Sequence, residues 1–203
     1  MMEKNNNEIL VERLLRFSVK DSEETASKLI RELGDVRSLL ETNEYVISES
    51  CSSARAAELI KLAAALNGRR VTDKFKLGKK YSIDELKTYI CGLFLGATVE
   101  MAAAIFVKDG KFAGSEILSE GTINSSEILP RRICDFAIRK GADQVIVAHN
   151  HPRGEAKPSV QDKAVTVELA FSLNRAGITL LGAFVVAGFN ISECLREDEC
   201  EVY

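Results

Sequence analysis

The stretch VIVAHNHPRGEAKPSVQD, Val145 to Asp162, decides the fold. An apolar run predicts a buried strand, and the strand ends in His-Asn-His. Side chains alternate along a strand, so His149 and His151, two residues apart, project to the same side. They are the only two histidines in the chain. The turn-rich PRGEAKP follows, then Ser159 at the cap of a helix, with Asp162 one turn in. Two imidazoles on one side make half of a transition-metal site, and Asp162 at the helix start can face them as a third ligand. Two His and one Asp leave a position for water, as a catalytic zinc requires and a closed structural zinc does not. The same residues also have a plainer reading. Ser-x-x-Asp is an N-terminal capping pattern, and a histidine pair at a strand end can be a pair of satisfied polar residues. Both readings can hold together, because a capped helix start fixes Asp162.

The bulk numbers set bounds. The 203 residues suffice for one medium domain and a small one, and 46 % hydrophobic with 28 % charged residues is ordinary for a globular protein. A net charge of -3 excludes polyanion binding by bulk electrostatics. No apolar run approaches the roughly 20 residues that cross a bilayer. The start, MMEKNNNEIL, lacks the apolar core of a signal peptide. These features predict a cytoplasmic protein without a membrane span. Cys51, Cys91, Cys134, Cys194 and Cys200 form no Cys-x-x-Cys pair, and an odd number argues against a disulfide framework. They read as small buried hydrophobes.

Helical patterns fill the chain to about Leu66. NNEILVERLLRF puts Ile9, Leu10, Leu14 and Leu15 on one face, and DSEETASKLIREL opens at Asp21 or Ser22 and closes at Gly34. SSARAAELIKLAAAL starts at Ser52 or Ser53 and reads as stopped by Asn67-Gly68. Residues 1–68 are therefore expected to form a small helical domain. Residues 69–81 carry Arg69, Arg70, Lys74, Lys76, Lys79 and Lys80 against one acid, Asp73. This is a basic linker, read as a solvated connector with phosphate contact as the lesser alternative. From Ser82 to residue 203 the pattern is α/β. Ser82 and Glu85 make a capping box, and VEMAAAIFV and FAGSEILSEG flank an Asp109-Gly110 hairpin turn. A helix closed by Gly141, the His strand, a helix closed by Gly177, and the strands ITLLGAFVVAG and NISECL complete it.

His-x-His-x₇-Ser-x-x-Asp matches the signature of the JAB/MPN (JAMM) zinc metallopeptidases. GTINSSEILPRRI together with GADQVIVAHNHPRGEAKPSVQD resembles the bacterial RadC-like family, over roughly Ser82 to Leu195. The resemblance implies a JAB/MPN-like, cytidine-deaminase-like mixed sheet flanked by helices. It implies one zinc on His149, His151 and Asp162, with water as the fourth ligand. It implies a glutamate base from an early strand, here Glu100, with Glu120 as the competing position. An acid just before an apolar strand also reads as a solvated strand end. Ser159 resembles the serine that hydrogen-bonds the oxyanion. Two positions depart from the family: Arg153 stands where Ser is common, and Gly182-Ala183 where an Asp-His pair is frequent.

The resemblance also extends to the front end, where relatives carry a helix-hairpin-helix-like segment that binds DNA phosphate through a glycine turn. NEYVISESCSSARAAELIKL has that layout but not its glycines, and Glu49 would repel a phosphate. It reads as a degenerate version kept for packing, with Arg55 and the linker lysines allowing weak DNA association. Two function classes remain. One is a zinc-dependent hydrolase acting on a peptide or isopeptide bond in a protein substrate. The other is a DNA-repair-associated nucleic-acid-binding accessory protein whose metal site is structural or vestigial.

Overall fold

The computed structural model describes residues 5–121, 128–152 and 154–194. Five helices come first: α1 (Asn6–Leu15), α2 (Ser22–Leu33), α3 (Val36–Glu41), α4 (Glu44–Cys51) and α5 (Ala54–Thr72). The side chains of Asn5, Asp35, Asn43 and Ser53 each accept a bond from a first-turn N–H of α1, α3, α4 and α5. Each such cap is worth about 1 kcal/mol. Asp21 holds the cap position of α2 without making that bond. The helices close on a core of Val11, Leu15, Leu29, Leu39, Ile47 and Ile60 with their neighbours. The buried stripe of α1 differs from the one expected. Val11 and Leu15 are inside and Leu14 packs at the margin, while Ile9 and Leu10 are 40 % and 56 % exposed. Apolar residues at five positions of a short helix permit more than one stripe, and packing on α2 and α5 selects among them.

The largest correction concerns Asn67-Gly68. The helix does not stop there; α5 runs on to Thr72. A Cβ on Gly68 would overlap the carbonyl oxygen of Gly92 in α6 (Ile83–Phe94), and Gly92 in turn faces Gly68 O and Val71. The glycine is there to let two helix backbones touch. The basic stretch is likewise not a free connector. Gly78 N–H donates to Phe112 O at 2.9 Å, and Phe112 N–H donates to Lys79 O at 2.8 Å. Phe75 and Tyr81 stack into a cluster with Tyr89 and Phe112. The lysine side chains remain exposed, but the backbone is tied to the sheet.

That sheet has five strands in the order β2-β1-β3-β4-β5: β1 (Met101–Lys108), β2 (Lys111–Glu120), β3 (Gln144–Asn150), β4 (Thr179–Ala187) and β5 (Asn190–Glu193). Only β3 and β4 run parallel; the other pairs are antiparallel. Asp109 and Gly110 both have positive φ, as a two-residue hairpin turn of the matching twist requires. Alternation along the strands makes two cores. Ala103, Ile105, Ile146, Ala148 and Phe184 face α6. Ala104, Phe106, Val145 and Val147 face α7 (Ile128–Lys140) and α8 (Val160–Arg175). Pro130 sits in the first turn of α7, where a proline costs no helical hydrogen bond. The parallel β3–β4 pair needs a crossover, and α8 is that crossover. Its N-terminus therefore returns to the end of β3 where the histidines stand. No described helix is long and apolar enough to cross a membrane.

Gly68→Ala tests the helix contact. In an open helix the change stabilises by about 1 kcal/mol. Here it should instead destabilise by about 1–3 kcal/mol through overpacking, read as a lower denaturation midpoint in urea. A raised midpoint would refute the contact.

Candidate metal centre

The end of β3 delivers His149 and His151 to one face, and the first turn of α8 delivers Asp162. The Nε2 atoms of the two histidines lie 3.2 Å apart. His149 Nε2 is 3.2 Å from Asp162 Oδ1, and His151 Nε2 is 3.8 Å from Asp162 Oδ2. Metal–ligand bonds of about 2.0–2.1 Å in a tetrahedron set the donors roughly 3.3 Å apart, so this triangle has the size of a first-row metal site. The donor set of two imidazoles and a carboxylate suits such a metal. His151 Nδ1 lies 3.1 Å from Glu155 O, a contact that puts the ring proton on Nδ1 and leaves Nε2 as a lone pair.

Asp162 is held from its own helix. Ser159 N–H and Ser159 Oγ–H both donate to Asp162 Oδ2 at 2.7 Å, and Asp162 N–H donates to Ser159 Oγ at 3.1 Å. The capping box leaves Oδ1 turned to His149. Burial pushes the Asp162 carboxyl up, but the two Ser159 bonds and the nearby histidines bring it below its ordinary value of 3.8. Burial pushes His149 below the ordinary imidazole value of 6.5, further than Asp162 and Glu100 raise it. A neutral imidazole and an ionised carboxylate are the ligand forms.

Residues 81–198 match the family model described as the RadC-like JAB domain. The chain belongs to the RadC family. RadC relatives extend over most of the chain. A UPF0758 protein of Aliivibrio fischeri (strain MJ11) is 30 % identical over 167 residues, covering 80 % of this chain and 74 % of the relative. One from Shewanella piezotolerans is 32 % identical over 180 residues, covering 85 % and 79 %. Another from Shewanella sediminis is 32 % identical over 168 residues, covering 80 % and 74 %. The RadC family falls in the JAB/MPN superfamily, and the mixed sheet with its flanking helices is that fold.

Within this RadC domain, the structure brings His149, His151 and Asp162 together as a candidate metal site. Glu100 lies exposed just ahead of β1, and its carboxylate acts on His149. Ala102, two residues on, pairs across the sheet with His149. Glu120 is on β2, one strand further out, opposite Met101 and hence on the other face by alternation. Ser159 uses its one hydroxyl hydrogen on Asp162, so a bond to an oxyanion would require that hydrogen to turn away. Arg153 and Cys200 lie outside the described residues. Gly182 backs onto the Phe184 ring and Ala183 is buried beside Val185 and Cys194, so neither offers a polar group to the site. Burial pushes the thiols of Cys91 and Cys194 up to about 11, which removes both as nucleophiles.

Sequence reasoning missed Asn150. It is 4 % exposed, lies between the two histidines, and its amide bridges to the segment carrying Glu100. Its only sequence signal was a polar residue inside an apolar strand. A cleft of about 670 Å³ also went unforeseen. It separates the helical part, at Lys61 and Asn43, from the end of β3, where Asn150 and His151 line it. Asn43 Nδ2 donates to Pro152 O at 3.1 Å across its rim.

The lowered values of His149 and Asp162 act in the same direction. Stability from His149 is fully present above 6.5 and is lost as pH falls through its lowered folded value; stability from Asp162 is present above 3.8 and lost below. Metal-free protein should therefore lose Tm as pH falls below about 6.5, less steeply in His149→Ala. Untagged wild type should carry one stoichiometric divalent metal ion, and His149→Ala and His151→Ala should lack it. Equal metal content in the variants would refute the site.

Proposed function

We propose that the protein is a zinc-dependent hydrolase of peptide or isopeptide bonds in a protein substrate. The observation that carries this reading is the donor triangle with an acid just ahead of the neighbouring strand. The donor chemistry favours zinc, which when bound lowers the pKa of a water towards about 7 and polarises a carbonyl. His149, His151 and Asp162 would hold the ion. Ser159 keeps Asp162 aimed and retains a hydroxyl for the developing oxyanion, at the cost of its present bond to Asp162. Glu100 takes the proton of the attacking water on its carboxylate and delivers it to the leaving amine nitrogen. Glu100 is favoured over Glu120 because the strand it precedes pairs directly with the His strand and its charge reaches His149.

The proton-transfer role is tested by Glu100→Gln and Glu120→Gln, with zinc content and hydrolysis of peptide and isopeptide-linked substrates measured on each. Glu100→Gln should keep zinc and lose activity by roughly 10²–10⁴-fold, the usual share of a general base. Glu120→Gln should retain both. Zinc loss in Glu100→Gln would make it a ligand, and full activity there would end its assignment as the base.

Nucleic-acid binding by the helical part gains no support. Ser52 occupies the left-handed turn position at φ 50, where a glycine is normally at ease. Ser53 Oγ already takes the Ala56 N–H at the start of α5, so that donor is not left for a phosphate. Titrated against duplex DNA, the full chain should associate only weakly and lose that association with added salt. Nanomolar binding that survives high salt would overturn this.

A further inference from the structure

We infer that Asn150 is a positioning residue that sets the place of Glu100 relative to the metal ligands. The inference rests on Glu100 being the proton carrier. Strand β3 keeps its pairing with β4 through Asn150↔Val186, and His151 N–H still donates to Val186 O. Its pairing with β1 ends earlier, at Ala102↔His149. Beyond that point the side chain of Asn150 takes over the pairing. Its Oδ1 accepts from Met101 N–H at 2.6 Å, and its Nδ2 donates to Val99 O at 3.1 Å. These are the two backbone groups on either side of Glu100. From the opposite side, Gly121 N–H donates to Glu100 O at 2.7 Å. The segment 99–101 is thus held between β2 and Asn150.

An asparagine suits this task because one amide offers an acceptor and a donor, matching an N–H and a C=O two residues apart on an extended chain. Alternation turns Asn150 to the face opposite its two neighbours. One tripeptide therefore aims two metal ligands to one side and fixes the strand bearing the acid from the other. A serine could reach only one of the two backbone groups, and an aspartate would lack the donor. A merely structural asparagine would satisfy its amide and change nothing at the metal. A positioning one, when removed, lets Glu100 drift while the ligands stay.

The test uses full-length protein with cobalt(II) in place of zinc, whose visible absorption reports the environment of the ion as pH is varied. The variants are Glu100→Gln, Asn150→Ala and the double variant. Glu100→Gln should move the pH midpoint of the absorption change. Asn150→Ala should bind one cobalt, move the midpoint in the same direction by at least half as much, and speed amide exchange at Met101. The double variant should match Glu100→Gln alone, because Asn150 acts through Glu100. A midpoint that moves in Glu100→Gln but not in Asn150→Ala overturns the inference and leaves the base assignment standing. A midpoint unmoved by Glu100→Gln overturns both. Additive shifts in the double variant also overturn it, since Asn150 would then act on the ion by another route. Should Asn150→Ala not fold, Asn150→Ser keeps one of the two bonds, and an intermediate shift is expected from it; none would again overturn the inference.

Discussion

Strand β3 follows β4 for longer than it follows β1, and the site occupies the place where the two neighbours part. A central strand must pair on both sides or leave polar backbone buried, which costs about 1–3 kcal/mol for each group. The sequence meets that constraint with a side chain, Asn150, rather than with more ladder. The histidines flanking it are freed from the sheet's interior without an unpaired edge being left behind. The crossover helix α8 must begin beside the same strand end, because a parallel partner can be reached only by returning over the sheet. Ser159 and Asp162 come with it. The candidate metal donors are therefore assembled by topology first and by side-chain preference second.

That His149, His151 and Asp162 come together was legible from local rules. A two-residue period put the histidines on one face, and a Ser-x-x-Asp cap put the carboxylate in the first turn of a helix. Each needed only a few residues of context. Both capping boxes predicted in the α/β part, Ser82 with Glu85 and Ser159 with Asp162, formed. Asn150 was not legible because its partners lie 49 and 51 residues away. Gly68 was misread for the same reason. Asn-Gly is a sound local stop signal, and it was overridden by Gly92, which sits in the next helix and leaves no room for a side chain. The stripe of α1 failed more mildly, since several stripes were open and only packing on α2 and α5 could choose.

The basic stretch shows how composition can describe side chains correctly and backbone wrongly. Its lysines are exposed, as a charged run should be. Yet Phe75 and Tyr81 anchor it, and Gly78 and Lys79 pair with Phe112 at the outer edge of the sheet. Part of β2 is thereby covered, and lysines flank the covered part. Both are recognised means of keeping an edge strand from pairing with another molecule.

The close approach of Gly68 and Gly92 has a thermodynamic meaning. The helical part has a core of its own, and a flexible joint would let it melt independently of the sheet. Instead α5 belongs to both halves. Its N-terminal turns are buried among the first helices, and its last turns lie backbone-to-backbone on α6, which covers one face of the sheet. Unravelling either half removes the packing surface of the other. The two halves are coupled into one cooperative unit, and heating should show a single calorimetric transition rather than two.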